Sequence, residues 1–359
     1  MINTKKFFTD SLLRWNKKDN DRPMPWKGEK DPYKIWLSEI ILQQTRVEQG
    51  WDYYNRFVAV FANITQLAKA PETKVFKLWE GLGYYNRCKN LLATAKIIAT
   101  TYKGKFPNQY DDILALKGIG PYTAAAIASF AFNQPYAVVD GNVFRVLSRF
   151  FGIRQPVDST TGKKLFTTLA TALLNKKQPG IYNQALMDFG AVICKPKQAL
   201  CTACPLKVRC VAYLKGIVNE LPVKEKRIAK KNRWFYYLVV EHNRKVYVRK
   251  RGPKDIWENL YEFILQESTG PNAVNRITSL PVYKKLLGKN AFKIIAVSNE
   301  FRQQLTHQTI HGQFIHISVN KPLKAVGYTV VDLPQLKKLP FPKLITAYLN
   351  ENREKAFER

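Results

Sequence analysis

Acidic residues are scarce in this chain. Its 359 residues include 27 Asp and Glu against 58 Lys and Arg, which leaves a formal net charge of +31 at pH 7. A surface this positive attracts polyanions, and nucleic acid is the commonest polyanionic partner of a globular protein. A ribosome-associated or merely basic protein would show the same excess. The charge therefore predicts a class of partner and leaves the chemistry open.

Long apolar runs are lacking as well. Residues 1–15 return to polar side chains before an apolar core of signal-peptide length forms. The longest run of small and apolar residues, Tyr122–Phe132, falls far short of the ~18 that a membrane span needs. Hydrophobic residues still make up 46% of the chain, without repeats or low-complexity tracts. We therefore expect a folded, multidomain cytoplasmic protein with no membrane segment.

Cysteine is rare and unevenly placed. Four of the five cysteines fall in the segment 194–210, and the fifth, Cys88, is expected to be a core thiol. In a reducing compartment such a cluster is more often a metal site than a set of disulfides. The four are Cys194, Cys201, Cys204 and Cys210, in a C-x6-C-x2-C-x5-C pattern. Thiolates this close repel one another unless zinc or an iron–sulfur cluster neutralises them, and the spacing alone leaves the metal open.

The apolar pattern changes along the chain. Up to about residue 216, apolar residues recur every three or four positions, as in Leu37–Val58 and Leu91–Tyr102, which predicts helices. Residues 218–233 are basic and poor in apolar side chains, as is typical of a linker. Beyond them the sequence predicts a smaller α+β domain with a closing helix, Leu339–Asn350. The predicted strands are Trp234–Glu241, Lys245–Arg249, Ala291–Val297, Gln313–Val319 and Tyr328–Asp332.

A glycine-rich turn precedes an alanine-rich helix in the helical region. In LKGIGPYTAAAI, Gly118 and Gly120 permit a tight turn whose backbone N–H groups point outward. The helix that begins near Tyr122 adds its N-terminal dipole, which suits the turn to binding a phosphate group. An ordinary turn between helices would also explain a lone Gly-x-Gly.

Two carboxyl groups are candidates for chemistry. Glu39 lies on a helix flank rather than on the apolar face, and Asp140 directly precedes a helix. A solvated glutamate and a helix N-cap are the ordinary uses of such residues. Two carboxyl groups in different surroundings can also divide the work of an acid and of a charge-stabilising carboxylate.

Several motifs together resemble one family. SEIILQQTRV, GLGYYNRCKNL, GIGPYTAAAI, VVDGNVFRVL and the cysteine segment follow one another at spacings similar to those of MutY-type adenine DNA glycosylases, members of the endonuclease III superfamily. The match runs from about residue 22 to residue 210. It implies an all-α helix–hairpin–helix glycosylase domain over residues 1–217 with a [4Fe–4S] cluster in the loop 194–210. Residues 234–359 resemble the family's Nudix-like α+β domain for recognising 8-oxoguanine.

The resemblance assigns roles to the catalytic candidates. Glu39 is implied to protonate adenine, Asp140 to stabilise the cationic sugar, and Asn142 to support the sugar or the attacking water. Tyr122 stands where endonuclease III-like lyases carry the lysine that forms a Schiff base. Because a phenol forms no imine, the implied enzyme is monofunctional and leaves an abasic site.

Other residues match family positions that contact DNA. A flipped base leaves a gap in the stack that a wedge must fill. The matching wedge residues are Gln44, Leu82 and Tyr84. The matches around the flipped adenine are Arg22, Trp26, Leu42 and Gln184.

The match in the C-terminal region is looser. The family usually presents an aromatic-Ser-His loop to the lesion, and this chain has Leu305, Thr306 and His307 there. The resemblance therefore implies lesion recognition by Thr306 and His307. The alternative is a strand edge with His307, His311 and His316 at the surface. A glutamate-rich Nudix box is lacking, which disfavours pyrophosphatase chemistry.

The implied partner is double-stranded DNA containing adenine opposite 8-oxoguanine or guanine, bound by a nucleoid-associated monomer. Three other readings remain. A thymine-mismatch glycosylase would share the helical half, and a bifunctional lyase would need a lysine near Tyr122, for which Lys117 is the only nearby candidate. A DNA-damage-binding module without catalysis is the third, and the presence of both Glu39 and Asp140 disfavours it.

Overall fold

The computed structural model describes residues 2–225, 229–271, 281–288 and 290–351. The chain divides into two compact units, residues 1–69 with 89–227 and residues 70–88 with 228–359. Residues 226–228 of the predicted linker, and 272–280, 289 and 352–359 of the predicted C-terminal domain, lie outside the described residues. None of the described helices combines the length and apolarity that crossing a membrane requires.

The described residues before Lys231 contain helices and no strand. Short 3-10 turns at Lys207–Arg209 and Val218–Glu220 flank the helix Val211–Leu214. The segment 70–88, which the sequence places in the helical domain, groups with the second unit and carries the helix Glu72–Trp79. The helices are α1 (Ile2–Lys18), α2 (Pro32–Leu42), α3 (Val47–Val60), α4 (Ile64–Lys69), α5 (Glu72–Trp79), α6 (Tyr85–Thr101), α7 (Tyr110–Ala115), α8 (Pro121–Phe132), α9 (Gly141–Phe151), α10 (Thr160–Leu173), α11 (Pro179–Val192) and α12 (Val211–Leu214).

The prediction of a single helix over Leu37–Val58 is wrong. The chain leaves the helix after Leu42 and re-enters it at Val47, and Gln44 between them has φ 56°, in the left-handed region. A non-glycine residue rarely adopts that conformation inside a helix. The three-and-four spacing continues across the break because both helices bury an apolar face, so periodicity alone does not reveal it.

The core of the first unit brings α1, α9, α10 and α11 together. α9 begins at an N-cap, Asp140, and ends at Gly152, whose φ of 68° closes the helix. Close approach of α11 to its neighbours depends on glycine. A Cβ at Gly190 would lie 2.6 Å from the Cβ of Asn142, and one at Gly180 would lie 2.7 Å from the carbonyl oxygen of Ser129. These contacts bring α8, α9 and α11 together at the site described below.

The second unit is built on a mixed sheet. The eight strands of its described residues run in the order β3-β2-β1-β7-β5, with β4 also paired to β1, β6 to β7 and β8 to β2. β1 and β7 are parallel over their length, and the other pairs are antiparallel. The strands are β1 (Lys231–His242), β2 (Lys245–Lys250), β3 (Tyr261–Glu262), β4 (Ile264–Ser268), β5 (Phe292–Val297), β6 (Phe301–Gln304), β7 (Gln308–Val319) and β8 (Thr329–Asp332), and the helices are α13 (Pro281–Leu287), α14 (Leu333–Lys338) and α15 (Lys343–Glu351).

The predicted fold class, all-α followed by α+β, is confirmed. The five predicted strands are present, although β1 begins at Lys231 and β7 at Gln308, earlier than predicted. The closing helix begins at Lys343 rather than at Leu339, because Pro340 and Pro342 lie in the stretch assigned to it. The short strands β3, β4 and β6 were not predicted.

Candidate active site

A cavity of about 200 Å³ opens in the first unit. Polar and apolar side chains share its walls, which come from α1, the loop before α2, α2, α8 and α11. A concave site with a few convergent polar groups is the usual form of a small-molecule pocket. The lining residues are Asn16, Trp26, Lys27, Gly28, Glu29, Lys30, Ile35, Ser38, Glu39, Phe130, Gly180, Ile181 and Gln184.

Glu39 is one of the titratable groups that line this cavity. The side chain of Glu39 is buried on α2, which packs against α8. The prediction that Glu39 lies away from the buried face of its helix is therefore wrong. Burial raises the pKa of the carboxyl to about 7, a hydrogen bond with Tyr122 opposes the rise, and the charge of Asp140 adds to it. A carboxyl group with a pKa near 7 can deliver a proton at neutral pH.

Tyr122 faces Glu39 from the first turn of α8. Burial raises the pKa of its phenol well above the ordinary value, and the nearby carboxylates add to the rise. The hydroxyl therefore keeps its proton and donates to ionised Glu39. This contact joins the first turn of α8 to the wall of the cavity.

Asp140 is held at the start of α9. Its Oδ1 accepts a 2.7 Å hydrogen bond from the backbone N–H of Val143, and its Oδ2 accepts one of 2.7 Å from the side-chain amide of Asn142. Burial raises the pKa of this carboxyl, while the N–H donors and the charge of Arg145 oppose the rise. Donors that point at a carboxylate favour its ionised form. Asp140 is the N-cap of α9, the ordinary use weighed against the catalytic one, and the same side chain lies close enough to Glu39 to raise its pKa.

Arg145 links this carboxylate to the cysteine segment. Its Nη2 donates at 2.7 Å to the side-chain oxygen of Asn142 and at 2.7 Å to the carbonyl of Gly190. Its Nε donates at 2.7 Å to the carbonyl of Cys194. Asn142 is thus fixed on both sides, since its amide nitrogen binds Asp140 and its oxygen binds a buried guanidinium.

The four clustered cysteines line one small cavity, together with Arg149. Burial raises the pKa of Cys204 to about 12, a backbone hydrogen bond at Leu206 opposes the rise, and the neighbouring thiols add to it. Four cysteines around one cavity fit a possible iron–sulfur loop.

Two family models match the chain. The model of the HhH-GPD superfamily of base excision DNA repair proteins matches residues 37–169, and that of the NUDIX domain matches residues 235–351. A curated adenine DNA glycosylase of Buchnera aphidicola subsp. Baizongia pistaciae (strain Bp) is 35% identical over 350 residues, covering 94% of this chain and 96% of the relative. This chain belongs to the adenine DNA glycosylase family. It is an adenine DNA glycosylase of base excision repair.

Two further comparisons show similar proteins. An adenine DNA glycosylase of Buchnera aphidicola subsp. Acyrthosiphon pisum (strain APS) is 37% identical over 262 residues, covering 72% of this chain and 74% of the relative. The solved structure of a thermostable thymine-DNA glycosylase superposes with a TM-score of 0.55 at 31% identity, covering 59% of this chain and 98% of that one. Nearly the whole of that chain thus corresponds to about three fifths of this adenine DNA glycosylase.

The residues predicted around adenine divide into two groups. Trp26 and Gln184 line the cavity with Glu39. Arg22 does not line it, because its guanidinium donates at 2.8 Å to the buried carboxylate of Asp188. Leu42 is also absent from the lining and lies half-buried at the last position of α2.

The three predicted wedge residues differ in exposure. Gln44 is exposed in the break after α2, and Tyr84 is 47% exposed with φ 49°. Leu82 is 5% exposed and belongs to the core, so the wedge assignment is withdrawn for Leu82. In the second unit the hydroxyl of Tyr84 lies 2.9 Å from that of Thr306, and the guanidinium of Arg87 lies over the Tyr84 ring.

The predicted phosphate turn joins α7 to α8. Gly118 has φ 79°, and a Cβ there would lie 2.7 Å from the Cβ of Asn90, so both its conformation and its surroundings require glycine. Gly120 is the N-cap of α8, with φ −98°, and a Cβ there would meet no atom within 4 Å. The turn therefore depends on Gly118 for its shape and presents the N-terminus of α8 at Gly120.

The predicted lesion residues lie in the turn between β6 and β7. Thr306 is half-buried and His307 is exposed, with its carbonyl bound to the backbone N–H of Lys231. The alternative of three surface histidines is wrong, because His316 is fully buried and hydrogen-bonds Glu241.

Sequence reasoning missed the buried polar residues that hold the site together. Asn183 on α11 donates to the hydroxyl of Ser129 at 2.9 Å and to the carbonyl of Tyr136 at 2.8 Å, so that it holds the segment leading to Asp140. Asp188 and Arg145 act over similarly long sequence separations. The sequence signal that could have revealed these residues was a polar side chain within an otherwise apolar face of a helix.

Proposed function

We propose that this adenine DNA glycosylase hydrolyses the N-glycosidic bond of adenine opposite 8-oxoguanine, or opposite guanine, in duplex DNA and leaves an abasic site. The observation that carries the proposal is the pairing of a buried carboxyl of raised pKa, Glu39, with a hydrogen-bonded carboxylate, Asp140. Glu39 lines a cavity of about 200 Å³, and this cavity is the proposed place of the extruded adenine.

The reaction begins with protonation of the base. Adenine is a poor leaving group until one of its ring nitrogens is protonated, and Glu39 donates that proton from the cavity wall. The bond between C1′ and the base then breaks, and its electron pair leaves with adenine. The positive charge that remains on the sugar is stabilised by Asp140, which its N–H donors hold as a carboxylate.

Water completes the reaction. It adds to C1′, and the proton it releases replaces the one that Glu39 gave, so that adenine and an abasic deoxyribose are the products. Asn142, fixed between Asp140 and Arg145, supports the sugar or the water. Tyr122 holds Glu39 and offers no amine, so no imine forms and strand cleavage does not follow.

DNA is bound through charge, backbone contacts and a wedge. The base is extruded into the cavity against Trp26 and Gln184, with Arg22 and Leu42 behind that surface, while Gln44 and Tyr84 fill the stack. Gly118 and Gly120 hold a phosphate group, which positions the duplex without reading its sequence. Thr306 and His307 contact 8-oxoguanine opposite the extruded base.

A [4Fe–4S] cluster is the proposed cofactor, held by Cys194, Cys201, Cys204 and Cys210. When bound, it supplies the positive charge that four neighbouring thiolates need and so fixes the shape of the loop. Arg149 secures the loop from the protein side, donating to the carbonyls of Lys195 at 2.7 Å and Pro196 at 3.2 Å. The loop's basic side chains, Lys195, Lys197, Lys207 and Arg209, face DNA phosphate in this proposal.

Single-turnover cleavage tests the proposal. Duplexes carry adenine opposite 8-oxoguanine, guanine, cytosine or thymine, and one further duplex carries thymine opposite guanine. Products are read with and without alkali. We expect adenine release fastest opposite 8-oxoguanine, slower opposite guanine, and strand breaks only after alkali.

Each other outcome contradicts a stated part. Strand breaks without alkali would contradict the monofunctional assignment, and thymine release would favour the mismatch glycosylase suggested by the 31% identical thymine-DNA glycosylase. Tight binding with no base release would contradict catalysis altogether.

A further inference from the structure

The buried carboxylate of Asp188 lies directly behind the cavity, and none of the proposed steps uses it. It stands on α11 with no exposed side-chain surface. Both oxygens are engaged. Oδ1 accepts from Arg22 at 2.8 Å and from Gln184 at 2.9 Å, and Oδ2 accepts from Asn20 at 2.9 Å, with the ammonium of Lys27 at 3.8 Å. A carboxylate flanked by two cations accepts hydrogen bonds and donates none.

This contact settles which way the Gln184 amide points. The amide carries a donor on one side and an acceptor on the other, and rotation by half a turn exchanges them. Asp188 takes the nitrogen, because a reversed amide would set two acceptor oxygens against each other. Gln184 lines the cavity, so its remaining polar atom, the carbonyl oxygen Oε1, is the group that it can offer to a bound base.

The same carboxylate orients a second amide. Asn20 directs its nitrogen to Asp188, and that nitrogen also donates at 2.7 Å to the side-chain oxygen of Asn16. Asn16 lines the cavity one helical turn earlier on α1. With its oxygen occupied, the group that Asn16 can offer to a base is its NH2.

One acceptor and one donor on a pocket wall match adenine. Its edge carries the N6 amino donor beside ring-nitrogen acceptors, whereas a 6-oxopurine carries an oxygen at that position. An oxygen facing Gln184 Oε1 would find no donor, and an unmatched polar pair strongly disfavours binding.

We propose that Asp188 is a positioning residue that selects 6-aminopurines, because it fixes Gln184 as an acceptor and, through Asn20, Asn16 as a donor. The inference rests on the proposal that the cavity receives the extruded base. It adds a residue that touches no substrate and acts only through the polarity of two amides.

The test uses single-turnover release of adenine, unsubstituted purine and hypoxanthine, each opposite 8-oxoguanine, from the full-length protein. In Asp188→Asn the new amide can donate to Gln184 Oε1, so the Gln184 amide is free to reverse. We expect the ratio of adenine to hypoxanthine rates to fall at least about tenfold relative to the unchanged protein, the worth of about one hydrogen bond. Intrinsic differences between leaving groups cancel in this comparison. Asp10→Asn, the same change at an exposed position of α1, should leave the ratio unchanged.

Gln184→Met keeps the test decisive if Asp188→Asn folds poorly, because this side chain faces the cavity. Gln184→Met should lower the rate of adenine release and leave the rate of hypoxanthine release unchanged. The differences in rate among the three bases should therefore become smaller. Combining Gln184→Met with Asp188→Asn should bring no further loss of selectivity. Equal losses on all three bases, or an unchanged ratio in either variant, would overturn the inference. Failure of the unchanged protein to release adenine would instead contradict the proposed function.

Discussion

The two carboxyl groups of the site lie in regions of opposite character. Glu39 sits in the wall of a cavity at α2, and its hydrogen bond with Tyr122 only partly offsets burial. Asp140 caps α9, where burial raises its pKa and a backbone N–H, an amide and the charge of Arg145 oppose the rise. Both groups are buried, so they differ in the donors that favour the ionised form. The comparison teaches that the donors at a helix N-terminus can distinguish one buried carboxyl group from another.

The largest effect is expected from Glu39→Gln. The amide has nearly the same shape and no acidic proton, so single-turnover adenine release should fall by about 10³- to 10⁴-fold, near the upper range for general acids. Binding to duplexes with adenine opposite 8-oxoguanine, measured by fluorescence anisotropy, should change little. Asp10→Asn serves as the carboxyl-to-amide control at an exposed site. A variant that keeps a tenth of the rate would contradict the acid role.

Asp140→Asn should lower the rate by about 10²- to 10³-fold, the usual effect of losing one charge-stabilising group. Asparagine is itself a good N-cap, so α9 should keep its start while the charge disappears. Asp332→Asn is a matched control, because Asp332 caps α14 in the second unit with a capping box. An equal loss of activity in both variants would show that cap chemistry rather than charge is responsible.

A smaller effect, about tenfold or less, is expected from Tyr122→Phe. Because the Tyr122 hydrogen bond lowers the pKa of Glu39, its removal should move the alkaline limb of the pH–rate profile to higher pH. Tyr136→Phe removes an exposed hydroxyl and should leave the limb in place. If the alkaline limb moved to lower pH in Tyr122→Phe, this would contradict the assignment that the hydrogen bond lowers the pKa of Glu39.

The smallest effect concerns stability. The folded protein binds the Glu39 proton more tightly than the unfolded chain, since the pKa rises from 4.5 to about 7. The free energy of unfolding should therefore fall as pH rises from about 4.5 to about 7, by up to about 3 kcal/mol from this group. Glu39→Gln should lack that decrease, so its melting temperature should exceed that of the unchanged protein above pH 7 and approach it near pH 4.5. An equal difference at both pH values would contradict the raised pKa.

Much of the fold could be predicted from local patterns. The N-cap at Asp140 could be foreseen as the ordinary use of the residue because capping needs only a short stretch of sequence, and the longer strands of the second unit could be predicted from β-rich runs. The break between α2 and α3 was missed, and with it the burial of Glu39, because apolar spacing continues across Gln43–Arg46. Short strands such as β3 were missed because two residues carry no period.

The supporting polar residues of the site could not be predicted. Besides near neighbours, Arg145, Asn183 and Asp188 contact groups 45 to 168 positions away in sequence. No local sequence pattern reveals contacts over such a separation. The motif resemblance named the groups proposed to touch DNA. It did not name those that orient them, and only the assembled helices bring these residues together.

The most direct test of the central claim is the pH dependence of single-turnover adenine release by the unchanged protein and by Glu39→Gln. If the buried carboxyl of Glu39 is the acid, the rate of the unchanged protein should fall as pH rises through about 7, and the residual rate of the variant should not follow that limb. A limb at the same pH in both proteins would show that another group supplies the proton, and the division of roles between Glu39 and Asp140 would then be wrong.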